Sequence, residues 1–390
     1  MHRYTDGTLY DWPDIEDMGW STLLLRNGFS LNVSRDFAYQ SLFEEAIDPK
    51  FKDGLSSADK TVFEAFRTTN FEGVLAKLRD AVVLAEVLDQ DPDPYRERFR
   101  TVQSSLGATV RRVHLERTEI PDETLQRIRE VLVEYKQIFS TSYDLLLYWS
   151  MAHGDNFHPF CDCFWSGGRN RFDPENCNVF PGVTPIYYLH GALHLVVEGT
   201  GQTRKLTQSH QTLLDQFGKP IPGDPDSRPL IISEATARDK LAAIERNDYL
   251  AHAYEKLESC DGPIVVFGNS LSDQDRHLID AINSNADRPV AISMRPKSAA
   301  LLKEEQAKVW GPLKSKEIYF FDSATHPLGK PELSLKGKRR RAFGKFFRIG
   351  VADGGLDDLG GALPDEEVVS PFDILDDRLV HFVAAYPDGF

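Results

Sequence analysis

Two kinds of hydrophobic pattern alternate along the chain. Short apolar runs, several of which end in glycine or small polar residues, predict buried parallel strands, and they lie within residues 21–25, 137–144, 185–189, 229–234, 262–270 and 289–294. Between them, apolar residues recur every three or four positions, which predicts helices, in residues 37–46, 57–66, 71–88, 121–135 and 238–257. Strands separated by helices predict an α/β fold with a doubly wound, Rossmann-like parallel sheet.

The helical pattern dominates between the first and second predicted strands. We therefore expect residues 1–55 and 136–300 to form the Rossmann-like domain, with residues 56–135 as a helical insertion. Residues 301–390 are expected to form a C-terminal extension with an assembly or regulatory role. A basic run from Lys336 to Arg348 lies within it and favours either a solvated basic loop or contact with nucleic acid or an acidic protein surface.

Composition and charge limit the class of protein. Of the 390 residues, 41% are hydrophobic and 27% are charged, as in an ordinary globular protein. The chain has no apolar run of membrane-spanning length, and residues 1–17 do not resemble a signal peptide, so we expect a cytoplasmic protein without membrane contact. The cysteines are too sparse for a disulfide framework, which fits a reducing compartment. The net charge of -15 argues against broad nucleic-acid binding.

A glycine-containing turn follows the first predicted strand. It consists of Asn27, Gly28, Phe29 and Ser30, and a helical pattern comes next. This order is typical of the start of a nucleotide-binding βαβ unit, whose turn amides and helix N-terminus hold phosphate. The turn has one glycine rather than three, so an ordinary strand-to-helix turn stays open as the alternative.

Hydroxyl residues and an acid end the second predicted strand. Ser140, Thr141, Ser142 and Asp144 occupy the position where polar side chains face the ligand crevice of an open α/β sheet. Such residues are equally suited to begin the apolar segment 145–149 as helix N-cap residues. Both interpretations stay open from the residues alone.

His190 follows the predicted strand 185–189 and precedes Gly191. Histidine titrates near neutral pH, so His190 is the best candidate for a general base. His194 would share a helical face with it, but two histidines without a third ligand make a poor zinc site. Three cysteines also lack the spacing of zinc ligands, so we predict no metal: Cys161, Cys163 and Cys177.

Four segments in a fixed order carry a resemblance. They are the turn at residues 27–30, Ser-Thr-Ser-Tyr-Asp at 140–144, Leu-His-Gly at 189–191 and Gly-Asn-Ser at 268–270. Together they resemble the sirtuin-like NAD-binding fold, and more closely the bacterial sirtuin-like proteins that hydrolyse NAD in antiphage defence. The resemblance covers roughly residues 20–300.

Two positions depart from the motifs of that family. Its first turn commonly reads Gly-Asn-Gly-Phe-Ser, and here Arg26 replaces the first glycine. Its Thr-Thr-Asn-Tyr-Asp segment has an asparagine that positions the ribose and the attacking water, and here Ser142 stands in that place. Arg26 is able to pair with a phosphate, whereas a serine needs a water molecule to replace the amide.

The resemblance also implies roles for individual residues. His190, Ser142 and Asp144 would act in catalysis. The residues implied to contact NAD are Asn27, Gly28, Phe29, Ser30, Thr141, Gly268, Asn269 and Ser270. NAD is then a substrate, cleaved to nicotinamide and ADP-ribose through an oxocarbenium-like transition state, with His190 as the base for the nucleophile.

The resemblance further implies a setting for this reaction. It points to an NAD-depleting effector of an abortive-infection system, gated by a homo-oligomer or by a partner such as a HerA-type hexameric ATPase. The alternative is a catalytically impaired subunit that binds NAD or ADP-ribose and assembles with such an ATPase. Protein deacylation is disfavoured because the chain lacks the paired Cys-x-x-Cys zinc module of deacylating sirtuins. A nucleic-acid-processing enzyme is disfavoured because no carboxylate cluster for metal ions is recognisable.

Overall fold

The computed structural model describes residues 5–335, apart from residues 35–36, 38–41, 70, 156, 165–169, 179–181, 208–211, 233–236, 269–270, 272–274 and 316. Its strands are β1 (Thr22–Leu25), β2 (Gln137–Ser140), β3 (Phe160–Cys161), β4 (Thr184–Tyr188), β5 (Gly191–Val197), β6 (Thr203–Lys205), β7 (Arg228–Ile231), β8 (Ile264–Phe267), β9 (Val290–Met294) and β10 (Ile318–Asp322). Its helices are α1 (Asn27–Val33), α2 (Leu42–Ala46), α3 (Ser57–Ala65), α4 (Phe71–Val87), α5 (Asp93–Val113), α6 (Asp122–Leu132), α7 (Leu146–Met151), α8 (Leu213–Gln216), α9 (Ala237–Glu245), α10 (Asp248–Ser259), α11 (Arg276–Asn283) and α12 (Ala299–Trp310).

A parallel sheet lies at the centre of the fold, with the strand order β10-β9-β8-β1-β2-β4-β3. Every neighbouring pair in it is parallel, which confirms the predicted α/β class with a Rossmann-like sheet. The chain builds outward from β1 through β2 and β4, then returns to the other side of β1 for β8, β9 and β10. The strand order therefore reverses between β1 and β8, and open α/β sheets bind ligands at the carboxyl ends of strands beside such a reversal.

The strands that flank this reversal are buried on both faces. Leu23, Leu24 and Leu25 of β1 are fully buried, and so are Ile264, Val265 and Val266 of β8. A strand covered on both faces needs an apolar side chain at every position, not at alternate ones. This explains why the strands were recognisable in the sequence as continuous apolar runs.

A second, three-stranded sheet with the order β6-β5-β7 was not predicted. Residues 191–197, which follow His190, form β5 and pair antiparallel with both β6 and β7. The helical face that His190 and His194 were considered to share is therefore absent. The segment 229–234, which was assigned to the parallel sheet, belongs in part to β7 of this smaller sheet.

The segment predicted as a helical insertion contains α3, α4, α5 and α6, which lie between β1 and β2 in the chain. Its helices α3, α4 and α6 agree within a few residues with the periodic segments, and α3 begins with a capping box in which Ser56 and Asp59 exchange hydrogen bonds. The segment 238–257, predicted as one helix, is instead divided into α9 and α10. Asn247 causes the break, because its side chain accepts a hydrogen bond from the Leu250 amide and caps α10.

The sheet continues past residue 300, where a separate extension was expected to begin. β10 pairs with β9 in parallel along its whole length, after the crossover helix α12. The expected boundary at 300 is therefore wrong by at least the 22 residues that separate it from Asp322, the end of β10. The basic run from Lys336 to Arg348 and the rest of the tail lie outside the described residues.

The state of the cysteines is relevant to the expected reducing compartment. Cys163 is disulfide-bonded, whereas Cys161 and Cys260 are free and buried. A disulfide is uncommon in a reducing cytoplasm, so Cys163 departs from the expectation drawn from the cysteine count.

No helix within the described part of the chain combines the length and the apolar content that crossing a bilayer requires.

Candidate active site

The described residues of the four segments that carry the resemblance meet at one edge of the central sheet. Parallel register aligns Leu25 of β1 with Phe267 of β8 on one side and with Ser140 of β2 on the other. Ser140 is in turn aligned with Tyr188 of β4. The carboxyl ends of β8, β1, β2 and β4 therefore lie side by side, and the residues that follow them share this edge.

The turn after β1 is packed directly against the turn after β8. The Gly28 amide donates to the Gly268 carbonyl at 3.1 Å, and a Cβ atom on Gly28 would lie 2.3 Å from that oxygen. The Phe29 amide donates to the Arg26 carbonyl at 2.8 Å, and the Phe29 side chain is buried in the core. Both amides are thus already bonded within the protein, contrary to the expectation that the turn amides are available to phosphate.

Polar side-chain atoms of the same turn have no such partners. Asn27 Oδ1 and Ser30 Oγ are buried and make no hydrogen bond within the part of the chain that the structure describes. Ser30 is completely inaccessible to solvent. Buried polar atoms are nearly always bonded to protein or to ordered water, so these two atoms are where the first turn is able to receive a ligand or water molecule.

Ser142 and Asp144 form a compact hydrogen-bonded unit at the end of β2. Ser142 Oγ donates to Asp144 Oδ2 at 2.5 Å, and Asp144 Oδ1 accepts from the Leu146 amide at 2.9 Å. Both residues are buried. Asp144 therefore binds the first amide of α7, in line with the helix-start interpretation of this segment, while Thr141 is held to β1 by its amide, which donates to the Leu25 carbonyl at 3.0 Å.

His190 is fixed at the end of β4 by backbone contacts on both sides. Its carbonyl accepts from the Ile232 amide at 2.9 Å, and the amide of the preceding Leu189 donates to the Ser140 carbonyl at 2.8 Å. Gly191 then takes a φ of 75°, the left-handed region that favours glycine. A Cβ there would lie 2.0 Å from the Leu230 carbonyl oxygen, which explains the need for glycine immediately after the histidine.

A second histidine, His277 on α11, faces His190. The two Nε2 atoms are 2.9 Å apart, and the rings stack with their centroids 5.1 Å apart at 28°. Burial, followed by the neighbouring His277 and the cations Arg26 and Lys240, holds the pKa of His190 well below its usual range. Burial, followed by Lys240, lowers the pKa of His277 to about 4. Both imidazoles are consequently neutral at neutral pH.

An ion-pair cluster lies beside the histidine pair. Asp275, which precedes α11, is 2.5 Å from Arg26 Nη1 and 3.5 Å from Lys240 Nζ. Arg26, which was expected to be able to pair with phosphate, is paired with Asp275 here. The Asp275 side chain is 3% exposed, against 19% for Arg26, so the carboxylate is the deeper group.

Sequence reasoning missed three residues of this site: His277, Asp275 and Lys240. Asp275 follows Ser270 by five residues in the sequence, and this position shortly after the Gly-Asn-Ser motif is the signal that could have found it. His277 follows two residues later and carries the same signal. Lys240 lies in α9, far from any motif, and no sequence pattern pointed to it.

The third binding segment is only partly described. Gly268 has a φ of 84°, and its amide donates to Ser293 Oγ on β9 at 2.9 Å. Asn269 and Ser270, the other two residues implied to contact NAD, lie outside the described residues. Gly268 thus serves the close approach of the two turns in this structure, because its left-handed backbone sits against Gly28.

His194, considered above as a metal-ligand partner of His190, lies on β5 among aromatic rings. Its ring centroid is 4.5 Å from that of Tyr148 and 4.8 Å from that of Tyr188. Among the described residues, no group of three or more His, Cys, Asp or Glu side chains is placed to hold a metal ion. His194 thus belongs to the core.

Chemically, this edge of the sheet offers a neutral histidine pair, an ion-pair cluster and two unpartnered polar atoms on the first turn. A comparison with curated proteins finds no match to the chain. The family model described as "Domain of unknown function (DUF4917)" matches residues 23–328, a range that extends from β1 through β10 and contains every residue of the site. Since that match covers most of the 390 residues, the chain belongs to the DUF4917 family.

Proposed function

We propose that this chain is an NAD+ glycohydrolase that cleaves NAD+ to nicotinamide and ADP-ribose. The observation that carries the proposal is His190, a buried and neutral imidazole held at the ligand-binding edge of a Rossmann-like sheet. The resemblance of residues 27–30, 140–144, 189–191 and 268–270 to sirtuin-like NAD hydrolases supplies the substrate and the reaction.

His190 has a suitable protonation state for the proposed step. Cleavage of the nicotinamide bond leaves positive charge on the ribose, so the attacking water needs only a weak base to remove its proton. The pKa of His190 is lowered by burial first, so the ring is unprotonated at neutral pH. NAD+ is the substrate in this proposal, held by the turns after β1 and β8, where Asn27 and Ser30 supply the unpartnered polar atoms.

The proposal extends to the setting of the reaction. The enzyme would act in the cytoplasm as the NAD-depleting effector of an antiphage, abortive-infection system, in a homo-oligomer or together with a HerA-type hexameric ATPase. These parts rest on the resemblance alone, except that an apolar patch on α4 favours self-association. It consists of residues at the end of α4 and directly after it, which are between 52% and 73% exposed: Val83, Leu84, Val87 and Leu88.

The disulfide at Cys163 gives the cytoplasmic assignment its own test. Lysis of cells in denaturant with an alkylating reagent and without reductant, followed by mass spectrometry, identifies which cysteines are free thiols in cells. Cytoplasmic residence predicts alkylated Cys161 and Cys260 and, for a reducing compartment, a mostly reduced Cys163. A fully oxidised Cys163 in freshly lysed cells would contradict the assignment.

A second candidate function is favoured by Ser142. An asparagine amide carries both a donor and an acceptor, whereas the single proton of Ser142 is already donated to Asp144. The chain would then be a subunit that binds NAD or ADP-ribose without turnover and assembles with an ATPase. Such a subunit would still bind the nucleotide, but it would lack the amide that orients the attacking water.

The decisive experiment measures NAD+ consumption by the purified full chain, alone and with the product of the neighbouring gene. We expect turnover that falls by about 100-fold or more in His190→Ala, the usual scale for loss of a general base. His153→Ala is the matched control, because His153 lies beside Asp122 at the start of α6 and belongs to none of the four segments that carry the resemblance. Ser142→Asn tests the departure from the family motif directly.

The two candidate functions predict different results. Turnover that needs His190 but not His153 supports the hydrolase. Calorimetric binding of NAD+ with no turnover in the wild type, followed by gain of turnover in Ser142→Asn, supports the binding subunit. If NAD+ neither binds nor is consumed in any of these proteins, both candidates are wrong.

A further inference from the structure

The contact between His190 and His277 contains one proton. Each neutral imidazole carries one N–H, and an Nε2–Nε2 distance of 2.9 Å requires that one nitrogen donates and the other accepts. The pair therefore has two arrangements. In one, His190 donates from Nε2 and keeps a lone pair on Nδ1; in the other, His277 donates and the proton of His190 is on Nδ1.

The two arrangements give His190 opposite chemical characters. Nδ1 of His190 has no hydrogen-bond partner in the described parts of the chain. When His277 accepts, this atom presents a free lone pair and is able to take a proton. When His277 donates, Nδ1 already carries a hydrogen and Nε2 is occupied, so His190 is a donor and not a base.

The protonated state distinguishes the arrangements further. An imidazolium at His190 carries hydrogen on both nitrogens, and Nε2–H then needs an acceptor at 2.9 Å. His277 Nε2 is the described atom in that position. The surrounding charges come from three elements: Arg26 before α1, Lys240 on α9 and Asp275 before α11. Of these, Asp275 favours the imidazolium and the two cations oppose it.

We propose that His277 is a positioning residue for His190: it accepts the Nε2–H of His190, and this leaves the Nδ1 lone pair of His190 as the atom that removes the proton from the attacking water. The inference rests on the proposed hydrolase function. In the proposed step, the water oxygen bonds to C1′ of the ribose, and the bond from C1′ to nicotinamide breaks with its electron pair on nicotinamide. The released proton passes to His190 Nδ1 and then to solvent.

The backbone of each histidine is fixed by contacts outside the pair, whereas Nδ1 of the His277 ring is buried and makes no hydrogen bond within the described residues. Tyr254 Oη donates to the His277 carbonyl at 2.7 Å, and the His190 carbonyl accepts from the Ile232 amide at 2.9 Å. His277 is 2% exposed and His190 is 5% exposed, so water does not compete freely for the shared contact. The tautomer of a histidine is set by the hydrogen bonds of its ring nitrogens, so the Nε2–Nε2 contact with His277 is the described contact that sets the tautomer of His190.

Two amide variants of His277 form a matched pair for the test. The amide of His277→Gln reaches the place of Nε2 and supplies an acceptor, whereas that of His277→Asn is one methylene shorter and reaches only the place of Nδ1. We expect His277→Asn to lower kcat by about 10-fold or more with KM changed less than about 3-fold, and His277→Gln to keep most of the wild-type kcat. In a His190→Ala background, His277→Asn should have no further effect.

A second measurement does not depend on turnover. In protein labelled with 15N-histidine, nitrogen shifts at neutral pH report which ring nitrogen of His190 carries hydrogen, and the His190→Ala and His277→Asn variants assign the signals. The proposal expects hydrogen on His190 Nε2 and loss of that preference in His277→Asn. Hydrogen on His190 Nδ1, in both free and NAD+-treated protein, overturns it.

The outcomes separate the positioning role from the hydrolase function. If NAD+ is not consumed but the nitrogen shifts place hydrogen on His190 Nε2, the pairing stands and the hydrolase function fails. If NAD+ is consumed but both His277 variants behave like the wild type, the positioning role fails alone. An increase of kcat in His277→Asn would also overturn the proposal, because it would mean that His277 restrains His190.

Discussion

Replacing Asp275 by asparagine tests the ion-pair cluster that borders the site. The substitution keeps the shape of the side chain and removes its charge. Asp275 Oδ2 lies 2.5 Å from Arg26 Nη1, and Oδ1 lies 3.5 Å from Lys240 Nζ, with the carboxylate only 3% exposed. In the Asp275→Asn variant, the cations Arg26 and Lys240 would lie on either side of a neutral amide that has little access to water.

The expected loss of stability follows from this geometry. Removing one partner of a buried ion pair usually costs about 3–5 kcal/mol, because the remaining charge is left without compensation. Arg26 is 19% exposed and Lys240 is 10% exposed, so water partly rehydrates the cations. We therefore expect the lower end of that range, about 3 kcal/mol. With a urea slope on the order of 3 kcal/mol per molar, the midpoint of unfolding should fall by about 1 M.

A matched control lies on the helix that follows Asp275. Asp280 pairs with Arg276 at 3.0 Å through side chains that are more than half exposed, and Asp280→Asn should change the free energy of unfolding by less than about 0.5 kcal/mol. Urea unfolding followed by circular dichroism measures both variants. Equal and small midpoint shifts, or a stabilised Asp275→Asn, would refute the view that burial makes the Asp275 charge indispensable.

Three further predictions concern neighbouring residues. Gly191→Ala should destabilise the fold by about 3 kcal/mol or more, because its Cβ would lie 2.0 Å from a carbonyl oxygen of β7. The control is Gly201→Ala, which has a similarly left-handed φ with open space around it and should cost about 1 kcal/mol. Equal losses of stability in thermal unfolding would contradict this. Burial disfavours the charged form of His277 and lowers its pKa to about 4 in the fold. Between pH 6.5 and 4 the unfolded chain therefore binds a proton at this residue that the folded chain does not. The free energy of unfolding should fall by roughly 3 kcal/mol from this residue as the pH decreases through that range. His277→Gln should therefore show a shallower loss of stability between pH 6.5 and 4 than the wild type, and parallel curves would contradict the assignment. Ser142→Ala removes the buried donor to Asp144 and should cost about 2 kcal/mol in urea unfolding, while an unchanged midpoint would show that the 2.5 Å contact contributes nothing.

The central sheet was predictable because its strands are buried on both faces. β1, β8 and β9 are continuous apolar runs, and each leads into polar or glycine residues that the chain needs at the carboxyl edge. The parallel order then brings the turn at 27–30 and His190 to one edge without further information. Periodicity was equally reliable for α4 and α6, whose apolar faces recur over three turns or more.

The elements that were missed depend on pairing rather than on local pattern. β5 is apolar at nearly every position, and a short apolar run does not distinguish a strand from a buried helix. Its pairing with β6 and β7 decides the matter, and that information lies elsewhere in the chain. His277 is separated from His190 by 87 residues and meets it because the chain crosses to the other side of β1 for β8 and α11. No spacing rule within one segment expresses such a contact.

The hydrogen bonds of Ser142 connect the fold to the proposed chemistry. Its proton goes to Asp144, and Asp144 in turn accepts the first amide of α7, so the hydroxyl helps to fix the start of that helix. Ser142 Oγ keeps acceptor capacity, and in the proposed hydrolase it would orient the attacking water by accepting a hydrogen bond from it. The proposed reaction also needs a base for the proton that the water loses, and His190, at the end of the neighbouring strand, would supply the lone pair of Nδ1 when His277 accepts its Nε2–H. If the chain is the proposed hydrolase, we therefore expect the fold loss of turnover in His277→Asn to be larger in the wild-type background than in the Ser142→Asn background, and equal losses would contradict this.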